Sequence, residues 1–147
     1  MDSDLLQACK ATSDGGFILA GYSSSGISGD KNESSVGYLD YWIVKLNAAG
    51  SIVWQQTIGS LSDDRATAIV ESPDGGFLVG GYTNSGISGD KTEAAIGGYD
   101  YWIVKLNSSG TIVWQQTIGG SANDYLTDIL NVPGGFVLSG IRNLVYP

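Results

Sequence analysis

One stretch decides the fold of this chain: residues 40–47 read Asp-Tyr-Trp-Ile-Val-Lys-Leu-Asn, and residues 100–107 repeat them without a change. Outward from this stretch, residues 14–61 align with residues 74–121 without a gap at an offset of 60, and 32 of the 48 aligned positions are identical. A third, incomplete copy occupies residues 124–143. A fixed period of this size is typical of repeat proteins, in which each unit buries its faces against its neighbours.

Each repeat unit is predicted to contain four short β-strands. In the second copy, runs rich in apolar, β-branched and aromatic residues lie at 65–71, 76–82, 101–106 and 111–118, with Gly, Asn, Asp or Pro between most of them. Short strands separated in this way are typical of an antiparallel meander, because these residues favour tight turns. The second and third runs are almost continuously apolar, which predicts burial on both faces of the sheet.

The fourth strand alternates between apolar and polar residues, as a half-exposed outer strand does. One of its faces is expected to carry Ile112, Trp114, Gln116 and Ile118. An inner strand, two buried middle strands and an amphipathic outer strand together make a β-propeller blade, whose faces are covered by neighbouring blades. Trp114 and its counterpart Trp54 are expected to wedge between blades, since large aromatic side chains dominate such interiors.

The sequence therefore predicts an all-β fold of two full propeller blades and a half blade. Blade 1 spans residues 1–61, blade 2 spans residues 62–121, and residues 122–147 hold the two inner strands of a third unit and a C-terminal tail. Propellers close with about 4–8 blades, so the ring is expected to be incomplete in one chain. A chain that opens on a repeat boundary and closes in mid-repeat favours a fragment of a longer array, natural or excised.

The pattern D-G-G-F-x-x-x-G-Y, followed by D-Y-W-I-V-K-L-N-x-x-G-x-I-V-W-Q-Q-T-I-G, resembles the β-propeller repeats of large bacterial secreted and cell-surface proteins. The resemblance covers residues 4 to about 143. It implies propeller blades and an extracellular or cell-surface setting, and it carries over no catalytic residue, because the matched positions are structural. Residues 1–4 have neither the basic region nor the apolar core of a signal peptide.

Composition narrows the classes of function. The chain has no histidine, which removes the commonest general base and the commonest transition-metal ligand. Its single cysteine, Cys9, excludes an intrachain disulfide. Because Cys9 aligns with Ile69 and Ile129, a small core residue is expected there, with a reactive thiol as the alternative. No apolar run approaches the roughly 20 residues that a bilayer-spanning helix needs, so no membrane span is expected.

The net charge of −8 is expected to lie mainly on one rim of the molecule. A meander places the second-to-third loop and the connection between units at the same end, and 11 of the 15 acids fall in those segments. Such a rim disfavours nucleic acid, whose binding needs Lys and Arg, and favours cations or a basic protein surface. The candidate ligand-binding residues are Asp30, Glu33, Asp63, Asp64, Asp90, Glu93 and Asp124.

The second-to-third loops, 23–39 and 83–99, are far longer than the usual connection of about 4–6 residues. Each is expected to fold on its own small apolar cluster, formed by Ile27 and Val36 in one loop and by Ile87 and Ile96 in the other. Their acids make calcium a candidate ligand, against the alternative of solvated acids and turn caps, and no other cofactor is expected. The candidate metal ligands are Asp30, Glu33, Asp40, Asp90, Glu93 and Asp100.

An enzyme is not expected. Asp63 and Asp64 form a carboxylate pair, but nothing in the sequence indicates the raised pKa that acid–base catalysis needs. Without histidine, no Ser-His-Asp triad can form. The alternative to a structural module is a lectin-like carbohydrate-binding propeller, with Tyr38, Tyr99 and Tyr125 as candidate stacking residues. A hydrolase-type domain that uses the rim carboxylates is a further alternative.

The incomplete third unit predicts association. Its second strand, at residues 135–141, is expected to present an open edge, and the end faces of the first and last blades are expected to be apolar. A homo-oligomer, a head-to-tail filament or the further blades of a parent chain would each cover these surfaces. Carbohydrate and a basic protein surface are the other expected partners.

Overall fold

The computed structural model describes residues 3–142, and all its regular elements in this range are β-strands. The predicted all-β fold is therefore confirmed. The strands are β1 (Asp4–Ala11), β2 (Phe17–Ser23), β3 (Asp40–Leu46), β4 (Ile52–Ile58), β5 (Asp64–Glu71), β6 (Phe77–Thr83), β7 (Asp100–Leu106), β8 (Ile112–Ile118), β9 (Asp124–Val132) and β10 (Gly135–Arg142). Asp2 of the predicted rim, Asn143 at the end of the repeat match and the predicted C-terminal tail after it lie outside the described residues.

The strands form three antiparallel sheets. The first has the order β1-β2-β3-β4 and the second the order β5-β6-β7-β8, so that each strand pairs with the next along the chain. This confirms the predicted four-stranded meanders. In the third sheet, β9 pairs with β10. No helix within residues 3–142 has the length and apolarity needed to cross a bilayer.

The second sheet lies between the other two. Strand β5 packs on β1, β2 and β3, and β9 packs on β5, β6 and β7. The core between the first and second sheets contains Tyr41, Phe77 and Trp102, and a smaller core between the second and third contains Leu78 and Ile129. Because both faces of the second sheet are covered, the burial predicted for its two middle strands, β6 and β7, is confirmed.

Equivalent residues in the repeats differ in burial according to whether a neighbouring sheet covers them. Phe77 is 2% exposed where the first sheet covers it, whereas Phe17, at the same repeat position, is 40% exposed. On the opposite face, Ile58 is 2% exposed beneath the second sheet, whereas Ile118 is 38% exposed beside the two-stranded third sheet. The residue type is the same within each pair, so the packing neighbours set the exposure.

Two expectations about single side chains are wrong for this reason. Cys9 is exposed, although the isoleucines at the same position of the later copies are buried, because no sheet in the described part of the chain covers that face of β1. Trp54 lies between the first two sheets as predicted, with its ring 5.8 Å from that of Phe77. Trp114 is instead 43% exposed, since the third sheet does not extend over it.

A β-bulge interrupts the alternation predicted for the fourth strand. Ile112 pairs with Leu106 and Trp114 pairs with Lys105, so Val113 has no partner on β7. Leu106 and Ile112 pack into the core between the first and second sheets, whereas Lys105 and Trp114 lie on the other face. The predicted grouping of Ile112 with Trp114 is therefore wrong, because an extra residue shifts the period of two.

Each inner strand also carries a β-bulge, at the same repeat position in all three sheets. The bulged residues, which lack a partner on the second strand, are Gln7, Thr67 and Thr127. A glycine on the second strand lies beside each bulge. A Cβ atom on Gly81 would lie 1.8 Å from the carbonyl oxygen of Arg65, so a larger residue cannot occupy this position without displacing the backbone. The repeated glycine thus accommodates the repeated bulge.

Candidate functional site

The long loops and the connections between units meet at one end of the sheets. The first and third strands of each four-stranded sheet run in the same direction, and β9 is the first strand of the third sheet. The first residues of these five strands are all aspartates: Asp4, Asp40, Asp64, Asp100 and Asp124. The antiparallel pairing therefore brings these carboxylates to one end, together with the loops that carry the other predicted rim acids. Their hydrogen bonds decide what this rim can bind.

A buried lysine lies at the centre of each long loop. Lys31 is 3% exposed and Lys91 is 1% exposed. The Lys31 ammonium donates to the backbone carbonyls of Ser25, at 3.2 Å, and of Glu33. Lys91 makes the equivalent bond to the carbonyl of Glu93. Burial lowers the pKa of both lysines, although neighbouring carboxylates act in the opposite direction.

The apolar cluster predicted for these loops is wrong. Ile27 and Ile87 are each 70% exposed, Ile96 is 67% exposed and Val36 is 46% exposed. An ammonium group can satisfy several carbonyls at once, because it has three donors. In these loops that chemistry replaces apolar packing, and the repeated Gly-Asp-Lys segment therefore has a structural role.

The loop glutamates fasten the loops to the outer strands. Glu33 Oε2 accepts a hydrogen bond from the backbone N–H of Thr57 on β4 at 2.6 Å. Glu93 makes the same bond to Thr117 on β8, also at 2.6 Å. Each loop thereby protects part of an open sheet edge, which would otherwise present unpaired backbone groups to other chains.

The loop aspartates Asp30 and Asp90 add a second attachment. Their backbone carbonyls accept hydrogen bonds from the side-chain amides of Gln55 and Gln115, at 2.5 and 2.6 Å. The Asp90 carboxylate also accepts from the backbone N–H of Gly59 in the first unit, at 3.1 Å. Asp90 therefore connects two repeat units, while the exposed Asp30 faces solvent.

The aspartates that begin the third strands cap the ends of the long loops. Asp40 and Asp100 are fully buried, and one carboxylate oxygen of each accepts from the backbone N–H of Val36 or Ile96. The other oxygen has no hydrogen-bond partner within residues 3–142. Burial raises the pKa of Asp40, which the bonds from Val36 and Gly37 partly offset. These contacts fit the turn-cap alternative to metal binding.

Asp64 and Asp124 occupy equivalent places at the start of β5 and β9. The Asp64 carboxylate accepts from the backbone N–H of Ser60 at 2.6 Å and from its hydroxyl at 2.5 Å. Burial raises the pKa of Asp64 to about 6; the Ser60 bonds lower it, and the charge of Asp40 raises it further. Asp124 lies 3.5 Å from the Nε atom of Arg142.

Three tyrosines and an ion pair meet on the same rim between the second and third sheets. The ring of Tyr82 lies edge-on to the rings of Tyr99 and Tyr125, with centroids 5.4 and 4.9 Å apart. Asp63 forms a salt bridge of 3.0 Å with Arg65, and the Tyr99 hydroxyl lies 3.5 Å from the same carboxylate. Aromatic faces beside a charged pair are groups that could contact a sugar.

The sequence placed Tyr99 and Tyr125 on the rim but missed Tyr82. The sequence does contain a signal for Tyr82, because this residue ends the second apolar run, next to the long loop that reaches the rim. In the structure Tyr82 pairs with Arg65 across β6 and β5. Tyr38, the other predicted stacking residue, is 75% exposed and lies in a different loop. The structure therefore brings together two of the three predicted tyrosines.

No group of three or more acidic or cysteine side chains that could hold a metal ion occurs in residues 3–142. Apart from Asp30, the predicted metal ligands use a carboxylate oxygen to accept a backbone N–H group; they are Glu33, Asp40, Asp90, Glu93 and Asp100. The calcium prediction gains no support from this arrangement.

Comparison with known proteins gives a distant similarity. No protein-family model matches the chain. Regulatory protein FlaEY from Caulobacter vibrioides is 28% identical to it over 115 residues, which are 76% of this chain and 12% of that protein. The chain therefore spans a small part of the length of this relative.

Proposed function

We propose that this chain is a non-enzymatic structural and binding module of the β-propeller type, which assembles with further repeat units or with other copies of itself. The observation that carries the proposal is the stacking of its sheets: within residues 3–142, the second sheet has a neighbour on each face, whereas the first leaves one face open. Stacked four-stranded meanders are the building principle of propellers. The resemblance of the repeat to bacterial surface proteins supports a secreted or cell-surface location.

The contacts between the first two sheets supply a template for adding a unit. The Tyr41 hydroxyl donates to the backbone carbonyl of Trp102 at 2.9 Å, and the two rings lie 5.0 Å apart. The indole N–H of Trp54 donates to the carbonyl of Ser108 at 3.1 Å. Since these bonds join side chains of one unit to the backbone of the next, they fix the angle and the register of stacking as well as burying apolar area.

The open face of the first sheet supports assembly. Leu6 is 50% exposed and Phe17 is 40% exposed on this face, and Trp42 beside them is partly exposed. At the same positions of the second sheet, Phe77 and Trp102 are 2% and 0% exposed. A contiguous apolar face of this kind marks an interaction surface. Its best partner is another sheet of this repeat, because such a sheet already fits the equivalent face.

Self-association is expected to depend on this open face. Size-exclusion chromatography with light scattering over a concentration series should give a mass above that of the monomer for the natural chain. Phe17→Asp should shift the equilibrium to the monomer, because a buried unpaired charge costs several kcal/mol. Ile27→Asp is the matched control, since Ile27 is an exposed loop residue. A monomer at all concentrations would contradict self-assembly.

The tyrosine cluster favours a second candidate function, carbohydrate binding. Tyr99 and Tyr125 should stack on a sugar face, with Asp63 and Arg65 bonding its hydroxyls. A polysaccharide screen should then detect bound sugar, and Tyr125→Ala should weaken binding at least about tenfold, as loss of an aromatic anchor does. Tyr38→Ala is the control. Release of free sugar would instead support the hydrolase alternative, and absence of both would leave the lectin proposal without support.

A further inference from the structure

Strand β10 has one open edge, unlike the second strands of the other two sheets. Strand β2 pairs with β1 and β3, and β6 pairs with β5 and β7. Within residues 3–142, β10 pairs with β9 alone, so its other edge presents unpaired N–H and C=O groups. An extended strand can add to such an edge through main-chain hydrogen bonds. The stacked sheets of the same molecule show which strand fits there.

Two side chains of the first sheet bond to a single β-hairpin of the second. The Tyr41 hydroxyl donates to the backbone carbonyl of Trp102 on β7 at 2.9 Å. The Trp54 indole donates to the carbonyl of Ser108, in the turn between β7 and β8, at 3.1 Å. The third strand, the turn and the fourth strand of a unit therefore receive the preceding sheet together.

The second sheet carries the same two donors. Tyr101 and Trp114 occupy the repeat positions of Tyr41 and Trp54. Tyr41 is fully buried, whereas Tyr101 is half-buried and Trp114 is 43% exposed. Within residues 3–142, no strand lies beside β10 to supply the equivalent carbonyls. Both donors therefore face the place that a hairpin like β7–β8 would occupy.

A small cavity lies at this place. It encloses about 70 Å³ and is lined by Tyr101, Ile118, Gly119, Asp124 and Arg142. In the first sheet, Tyr41 and Ile58 hold the positions of Tyr101 and Ile118, and they pack in one core with Trp102. The Trp102 ring lies 5.0 Å from that of Tyr41. A tryptophan on an added strand would contact Tyr101 in the same way and cover this cavity.

The register of the complete unit places such a tryptophan beside Tyr101. Trp102 on β7 pairs with Gly81 on β6. Gly140 takes the place of Gly81 in the third sheet, next to the same bulge of the inner strand. The Tyr101 hydroxyl lies beside Gly140, since a Cβ atom there would collide with it. The hydroxyl is therefore close to where the carbonyl of the added tryptophan would lie.

A charge at the end of the edge complements the first residue of the same strand. Thr83, the last residue of β6, pairs with Asp100, the first residue of β7. Arg142 takes the place of Thr83 in the third sheet. Its side chain lies 3.5 Å from Asp124 and is still 63% exposed, so its other N–H donors can bond a second carboxylate. An aspartate that begins an added strand would lie opposite this cation.

We propose that the open edge of β10 binds a β-hairpin of another polypeptide with the sequence pattern of β7 and β8. The hairpin completes the third sheet to four strands, its tryptophan packs on Tyr101, and its turn accepts the indole N–H of Trp114. This inference rests on the proposed assembly of repeat units, and it specifies the surface and the partner strand. The edge of β10 is separate from the open face of the first sheet, because the second sheet lies between them.

The test uses a fluorescent peptide with the sequence of residues 100–118 and the full chain at a concentration at which it is monomeric. Fluorescence anisotropy should show saturable binding of the peptide. Trp102→Ala made in the peptide alone should weaken binding at least about tenfold, as loss of an aromatic anchor does. A scrambled peptide of the same composition should not bind. Because these changes are confined to the peptide, the fold of the chain stays the same in every measurement.

A matched pair of variants of the chain tests the predicted hydrogen bond. Tyr101→Phe should weaken peptide binding about two- to tenfold, because it removes one hydrogen bond from the complex. Tyr41→Phe is the control and should leave binding unchanged, since its hydroxyl bonds Trp102 within the chain. Hydrogen exchange followed by mass spectrometry should show that bound peptide protects β10 and does not protect β2, which is paired on both edges.

Absence of binding, equal binding of the natural and Trp102→Ala peptides, equal effects of the two tyrosine variants, or protection away from β10 would each overturn the proposal. None of these results would bear on self-association through the first sheet, which light scattering measures without the peptide. A chain that is monomeric at all concentrations and still binds the hairpin would contradict self-assembly and support this site.

Discussion

Replacing Phe77 with alanine should lower the free energy of unfolding by about 3–5 kcal/mol, as truncation of a buried phenylalanine does. The same replacement at Phe17 should cost about 1–2 kcal/mol, because Phe17 is already 40% exposed whereas Phe77 is 2% exposed. Phe77 loses its contact with the Trp54 ring and leaves a cavity between two sheets. Urea unfolding followed by circular dichroism measures both values.

This pair is a matched control in one molecule, since the two residues occupy the same repeat position. The measurement should be made at a chain concentration at which the natural protein is monomeric, because association would cover Phe17. Equal losses at the two positions under those conditions would show that the sheets do not stack as described. A loss at Phe17 that grows with protein concentration would support assembly through the open face.

The strands could be predicted from the sequence because local pattern determines them. The apolar runs around Trp102 and Phe77 are bounded by glycine and asparagine turns. Stacking and an open face on the first unit were expected from the repeat. Which residues of that unit lie on the open face was not, because the sequence does not tell whether Phe17 and Phe77 face the preceding or the following unit. Exposed Cys9 differs from Ile69 for the same reason.

The structure of the long loops could not be predicted from the sequence, because a buried lysine and not an apolar cluster lies at the centre of each loop. A lysine in a Gly-Asp-Lys segment looks like a solvated residue, since lysine is rarely buried without partners. Only the fold brings the carbonyls of Ser25 and Glu33 around the ammonium of Lys31. The rim acids were likewise placed correctly at one end, but whether each faces solvent or accepts a backbone N–H depends on loop geometry. The bulge at Gln7 was missed because an extra residue leaves the apolar pattern nearly unchanged.

The buried carboxylate of Asp64 should make stability depend on pH in an unusual direction. Burial raises its pKa to about 6 from an ordinary value of 3.8, so the folded chain holds this proton more tightly than the unfolded chain. Its contribution is then largest below pH 4 and is lost as pH rises through 6. Asp40, whose pKa is also raised by burial, acts in the same sense.

Two exposed acids at the sheet end opposite the rim have the reverse effect on the pH dependence of stability. A hydrogen bond from Lys45 lowers the pKa of Asp14, and one from Ser72 lowers the pKa of Asp74, so both stabilise the fold above pH 4 and cease to do so as pH falls further. Stability should therefore decline between pH 4 and pH 7 through Asp64, and should also decline below pH 4 as Asp14 and Asp74 take up protons. The window from pH 4 to pH 7 therefore separates the effect of the two buried carboxylates, Asp64 and Asp40, from that of these exposed acids.

Asp64→Asn should reduce the decline in stability between pH 4 and pH 7, and the part that comes from Asp40 should remain. A pKa raised from 3.8 to about 6 corresponds to about 3 kcal/mol. The free energy of unfolding of the variant should therefore be higher than that of the natural chain by up to this amount at pH 7, and by little at pH 4. Asparagine keeps an acceptor for the Ser60 N–H. Urea unfolding across this range measures the difference, with Asp30→Asn as an exposed control on the same rim. Parallel pH profiles for Asp64→Asn and the natural chain would show that the carboxylate is already ionised in the fold, and that Ser60 compensates fully for its burial.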